Sequence, residues 1–135
     1  MKKLVMLIVI ILVGLFHSIA QENKDEHLLD GTSMNYYYQN GTAVHVELLS
    51  GQFKFKWIAG PNAGAEGQSP YRSRKIGDKM YLVNFYEESN STFVTIVFNF
   101  NQNVISTSAI IAPHSEQERI IFDGGIIENL HLKEN

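Results

Sequence analysis

Five consecutive residues, Phe53-Lys54-Phe55-Lys56-Trp57, alternate aromatic with lysine at strict period two. Successive side chains of a strand point to opposite faces, so this run places three rings on one side and two ammonium groups on the other. A helix would spread the same residues around its circumference and mix lysines with rings. The segment therefore demands a sheet with one apolar and one solvated face, and the rest of the chain must supply its neighbours.

Those neighbours are legible as further alternations. Met34, Tyr36 and Tyr38 interleave with Asn35, Tyr37 and Gln39 and stop at Asn40-Gly41, the dipeptide that favours a two-residue type I′ hairpin turn. Val44, Val46 and Leu48 interleave with Ala43, His45 and Glu47 up to Ser50-Gly51. Residues 59–69, rich in glycine, proline, alanine and asparagine, read as a loop longer than a hairpin needs, a candidate rim or lid. Strands are then expected over 71–76, over 79–87 with Tyr81, Val83 and Phe85 on one face, and over the β-branched and aromatic residues 92–100 and 104–112. Beyond Pro113-His114 the spacing predicts a last hairpin, 119–122 and 126–132, turned at Asp123-Gly124-Gly125. Seven to nine strands without a long amphipathic helix make the expected fold class all-β, a single small antiparallel barrel whose closure removes the edges a meander would expose.

Residues 1–20 follow different rules. Lys2 and Lys3 precede an apolar run over 4–16, and Ser18-Ile19-Ala20 offers small residues at the positions a signal peptidase reads. The run is shorter than the roughly 18 to 20 apolar residues of a spanning helix. The expectation is a cleavable signal peptide cut after Ala20, hence a secreted or periplasmic protein with no stable membrane anchor. Residues 21–30 then form a polar leader and 31–135 the barrel domain. Of 135 residues, 115 remain once the first 20 are removed, enough for one domain with its own core. Losing Lys2 and Lys3 takes the formal charge from −3 to −5, which repels phosphate backbones and argues against nucleic acid as a partner. Cysteine is absent, so disulfides and thiolate chemistry are excluded.

Catalytic grammar is sparse. No glycine-rich phosphate loop, His-Glu-x-x-His or Gly-x-Ser-x-Gly occurs, and His27, His45, His114 and His131 stand singly, so neither a metal site nor a cofactor is expected. Two constellations remain. Tyr36 and Tyr38, two apart, share the inward face of Met34, where phenolic hydroxyls can orient a ligand in an apolar pocket. Glu87 continues the inward series Tyr81, Val83, Phe85, and a carboxylate at an apolar cavity would have its pKa raised by desolvation. With Phe55 and Trp57, these positions are the candidate lining of a pocket. The plainer alternatives are core tyrosines whose hydroxyls reach backbone, and a glutamate solvated at the barrel rim. Asn40-Gly41-Thr42 and Asn90-Ser91-Thr92 match the glycosylation acceptor pattern, which turn chemistry explains equally well.

The stretch from Gly31 to Gly41, the segment Tyr81-Leu82-Val83-Asn84-Phe85-Tyr86-Glu87 and residues 92–100, with Trp57, Gly60 and Gly64 between them, resemble the calycin-like, lipocalin-like barrels of the MoaF-like family. More distantly they are similar to the phenolic acid decarboxylases. The resemblance spans residues 31–112 and implies a barrel that binds a small hydrophobic or aromatic molecule. In the decarboxylases, two first-strand tyrosines hold the substrate carboxylate and a glutamate handles the phenol or the proton. Carried over, those catalytic roles fall on Tyr36, Tyr38 and Glu87 of a cofactor-independent lyase. The arginine those enzymes use has no counterpart in residues 60–69. The readings are therefore a binding barrel first, an acid-base enzyme second, and a filled structural or interaction module third, with a homodimer compatible with each.

Overall fold

The computed structural model describes residues 26–133, and the expected signal peptide with residues 21–25 of the leader lies outside the described residues. Eight strands follow in order: β1 (Thr32–Tyr38), β2 (Ala43–Leu49), β3 (Gln52–Ala59), β4 (Glu66–Gly77), β5 (Met80–Glu87), β6 (Thr92–Asn99), β7 (Val104–Ile111) and β8 (Arg119–His131). Each pairs antiparallel with the next, and β8 returns to pair with β1, so the sheet closes into a barrel. The all-β, single-barrel expectation is met with eight strands, and the single helical element among the described residues is the short 3-10 turn Glu88–Asn90.

The interior follows the alternation. Met34, Val46, Phe53, Val83, Ile96 and Phe98 are each almost fully buried, and removing such side chains from water contributes about 1.5–3 kcal/mol apiece. Phe53 stacks on Phe85 with ring centroids 4.3 Å apart.

One end of the barrel is sealed by the residues that precede β1. Leu29 is only 2% exposed and belongs to the core cluster. Asp30 accepts from the Gly51 backbone N–H at 3.0 Å and from the Tyr71 hydroxyl at 2.9 Å, which locks this short segment to the β2–β3 turn and to β4. The Ser73 N–H and hydroxyl both donate to the Glu26 carbonyl, at 2.7 and 2.9 Å, and Leu28 N–H donates to Ser73 Oγ at 2.8 Å. Residues 26–31 thus form a strap across the barrel floor.

Three local expectations are corrected. The two-residue turn with both central residues at positive φ is Ser50-Gly51 (52° and 72°), whereas Asn40-Gly41 sits in a three-residue loop with Gly41 alone at positive φ (86°). There Asn40 Oδ1 accepts from the Thr42 N–H and hydroxyl, at 2.9 and 2.7 Å, and fixes the longer turn. The expected loop 59–69 shrinks to 60–65, because residues 66–70 already pair with β3. Those residues lack apolar alternation for a steric reason: their inward positions are Gly67 and Ser69, and a Cβ at Gly67 would lie 2.6 Å from the Phe55 ring. The expected last hairpin is one 13-residue strand, with Asp123, Gly124 and Gly125 inside it.

The floor strap should behave as core. Leu29→Ala is expected to lower unfolding stability by about 2–5 kcal/mol in a urea titration, the range for a buried leucine. Thr32 carries a buried hydroxyl without a partner. Thr32→Val is therefore expected to be neutral or stabilising by the same measurement, since it removes an unsatisfied polar group at similar volume.

Candidate functional site: the tyrosine end of the barrel

The end opposite the strap is built differently. Tyr38, Phe55, Trp57 and Val94 are partly buried residues packed on the core rather than within it, and Tyr38, Trp57 and Val94 lie in the half of the barrel away from the strap, with Phe55 at its middle. Register joins Tyr36 to Val44 and Val44 to Trp57 across β1, β2 and β3, so a row of apolar and aromatic side chains crosses the wall just below this mouth.

Two hydroxyls, with a carboxylate beside them, make up the polar centre of the mouth. Tyr36 and Tyr38 meet edge to face with ring centroids 5.4 Å apart. The Tyr38 hydroxyl shares a 3.1 Å hydrogen bond with Thr107 Oγ1 on β7. Tyr38 is paired with Gly125 of β8, whose missing side chain leaves the ring a clear path over that strand to Thr107. Asp123, paired with Thr107, places a carboxylate close enough to Tyr38 to disfavour its ionisation.

Burial dominates the titration of these phenols. It pushes Tyr36 well above the ordinary tyrosine value, with the neighbouring Tyr38 adding to the shift. Burial raises Tyr38 as well, partly offset by the hydrogen bonds from Thr107 and Tyr36. Tyr71, at the sealed end, is raised by burial and then by its bond to Asp30. All three stay neutral donors at physiological pH.

The remaining candidate residues distribute unevenly. Met34 and Phe85 lie deep in the core, and Tyr81 packs against Phe100 with centroids 5.9 Å apart, on the strap side of the barrel. Glu87 holds the inward register of β5, but its Oε1 accepts from the Ser89 hydroxyl at 2.6 Å and the Asn90 amide at 3.0 Å. Its carboxylate is committed to the turn after β5 and does not join the tyrosines. Two residues of the mouth carried no warning. Thr107 is an ordinary member of a β-branched strand, and Asp123 was hidden in a dipeptide with turn statistics.

Two depressions flank the mouth. A groove of about 500 Å³ is lined by residues of β2, β3 and β4, among them His45, Lys54, Phe55 and Glu66. A cleft of about 480 Å³ lies where β4 and β5 part, between Gln68, Pro70, Tyr86 and Glu87. The parting follows from Pro70: Tyr71 directs its N–H to Gly51 on the β3 side, so position 70 faces β5, and proline has no donor to continue that ladder. Neither depression is lined by Tyr36 or Tyr38. Among the described residues, no cluster of three or more His, Cys, Asp or Glu is placed to hold a metal ion.

The phenol shifts have a definite sign. A folded-state pKa above the unfolded value means the native state holds protons that the unfolded chain releases, so stability is intact below about pH 10 and falls as pH rises beyond it. An alkaline titration followed by tyrosinate absorbance should show Tyr36, Tyr38 and Tyr71 ionising only with unfolding.

The arrangement has known relatives. The chain's backbone is similar to a crystal structure from Burkholderia vietnamiensis described as a "putative beta-lactamase", with a TM-score of 0.64 and 16% sequence identity over 73% of this chain and 92% of that one. At that identity the likeness is one of fold. No curated protein matches the chain. The MoaF-like family profile, by contrast, matches residues 30–120, from the aspartate that locks the floor strap into the start of β8, and this chain belongs to the MoaF-like family.

Proposed function

We propose that this protein is an exported small-molecule-binding barrel that takes a compact aromatic or largely apolar ligand at the mouth beside Tyr38 and Trp57. The observation that carries the reading is the asymmetry of the ends. One is closed by a hydrogen-bonded strap, while the other gathers half-buried rings around a tyrosine and a threonine hydroxyl. Apolar surroundings with a few fixed polar groups are the usual make-up of small-ligand sites.

The same groups narrow the ligand. Asp123 adds negative potential next to Tyr38, so a ligand carboxylate there would meet repulsion, whereas a neutral hydroxyl or carbonyl can bond to Tyr38 and Thr107. This favours binding over decarboxylation. A carboxylate clamp needs positive or neutral surroundings, and the acid-base role expected of Glu87 is weakened by its bonds to Ser89 and Asn90. The name attached to the Burkholderia structure finds no support in the residues, since this chain has no Ser-x-x-Lys nucleophile motif.

Trp57 is the sole tryptophan, so its fluorescence reports the mouth directly. Titration with neutral phenols and aryl ketones is expected to change that emission and raise the melting temperature, a ligand at 100 times its Kd adding about 2.7 kcal/mol. The matched aryl carboxylic acids should bind more weakly. Tyr38→Phe is expected to weaken the neutral ligands by roughly 3- to 10-fold, the loss of one net hydrogen bond of about 0.5–1.5 kcal/mol. A panel that moves neither emission nor melting would remove the binding reading.

A further inference from the structure

The first half of β8 has a strand neighbour on one side only, as does the start of β4, where Pro70 and polar side chains blunt the edge. Residues 119–126 pair with β7, but β1 ends at Tyr38 opposite Gly125, so over residues 119–124 no second strand lies alongside among the described residues. This free edge reads Arg119-Ile120-Ile121-Phe122-Asp123. Ile120 is 74% exposed and Phe122 90% exposed. A free, apolar edge without lysine or proline is a template for another strand.

The five residues are complementary to themselves. In an antiparallel pair, residues directly opposite one another point to the same face, and a two-fold axis through Ile121 would oppose 119 with 123 and 120 with 122. Arg119 then faces the partner's Asp123, and Asp123 the partner's Arg119. Ile120 packs on the partner's Phe122, and the reverse. Both charge pairs fall on the inner side of the sheet, where Arg119 and Asp123 share register with Ile111 and Thr107. Both apolar pairs fall on the outer side. Shifting the register by one or two residues either way breaks both charge pairs, setting Arg119 against an apolar residue or glycine and Asp123 against isoleucine, Gln117 or Glu118, so charge and hydrophobicity select the same alignment. Among the described residues, neither Arg119 nor Asp123 has an ion-pair partner within its own chain.

We propose that the protein is a two-fold homodimer joined edge to edge through residues 119–123 of β8. The symmetry is isologous, so pairing consumes the edge of each copy and stops at two chains instead of propagating. The outer contact has support beyond the edge: Ile120 continues a row of exposed apolar side chains, Tyr86, Phe93 and Ile110, each the cross-strand neighbour of the next. Pairing also brings the partner's Arg119 to the rim beside Asp123, the carboxylate next to Tyr38, so the repulsion of ligand carboxylates expected there is that of the monomer and weakens in the dimer.

The test is a charge swap read by sedimentation across a concentration series, on the full-length gene product purified in its exported form. Wild type is expected to reach twice the monomer mass. Arg119→Asp and Asp123→Arg each set like charges opposite one another twice, and each alone is expected to stay monomeric. Mixing the two variants restores opposite charges at both positions and should recover the dimer, as should the double swap Arg119→Asp/Asp123→Arg. Phe122→Ser, at an exposed outer position, is expected to lose the dimer while its melting temperature stays within a few degrees of that of dilute wild type. A wild type that remains monomeric throughout, single swaps that still dimerise, or folded variants that stay monomeric when mixed would each overturn the proposal.

Discussion

Closure of the sheet depends on one pairing, in which Tyr36, Tyr37 and Tyr38 at the end of β1 meet Ile127, Ile126 and Gly125 of β8. It joins residues about 90 positions apart, the separation for which loop-closure entropy is largest and the contact slowest to form. The approach is so close that a Cβ on Gly125 would sit 2.7 Å from the Tyr37 carbonyl oxygen. Only glycine lets the two backbones reach ladder distance there. The same missing side chain opens the path by which Tyr38 reaches Thr107. Barrel closure and the polar centre of the mouth are therefore a single construction, and neither can be altered without the other.

The regular strands were legible because each buries one face against solvent on the other. Phe53-Lys54-Phe55-Lys56-Trp57 leaves no second reading, and β1, β2, β5, β6 and β7 follow the same rule. Where the fold was misread, the rule had been suspended by a neighbour. Residues 66–70 carry glycine and serine inward because the Phe55 ring occupies the space, and Asp123-Gly124-Gly125 stays in strand because β1 must come close. In both places small residues stand for proximity to another strand, which looks identical to turn chemistry in a single sequence. The site divides the same way. Period two correctly put both tyrosines on the interior face, whereas the fate of the Glu87 carboxylate was settled by Ser89 and Asn90, which lie too near in sequence for a face argument to capture.

The two ends of the barrel use tyrosine for opposite purposes. At the floor, the Tyr71 hydroxyl donates to the Asp30 carboxylate, which also takes the Gly51 N–H, and the hydrogen-bonding capacity of the phenol is directed into structure. At the mouth, the Tyr38 ring meets that of Tyr36 edge to face, and its hydroxyl bonds to that of Thr107, either of which can donate. A hydroxyl pair keeps acceptor lone pairs unspent and can reverse its direction, which a phenol held by a carboxylate cannot do. Both arrangements suppress phenol ionisation, yet only the second retains the capacity to meet another molecule.

The outer surface shows a comparable division. Outward positions of β2, β3 and β4 include Glu47, Lys54, Lys56, Glu66, Arg72 and Arg74, a mixed-charge face whose ion pairs, such as Arg72 with Glu26 at 2.9 Å, lie in solvent. Outward positions of β5, β6 and β7 include Asn84, Tyr86, Phe93, Thr95, Ser108 and Ile110, and none of the outward residues on these three strands is charged. Hydration satisfies the first face completely. The second face holds exposed rings beside amides and hydroxyls that both donate and accept, a composition compatible with its own mirror across a two-fold axis because nothing in it repels a copy. The free edge of β8 lies at the border of that uncharged face, so the side of the barrel with the least reason to remain in water is also the side where backbone hydrogen bonds are still to be made.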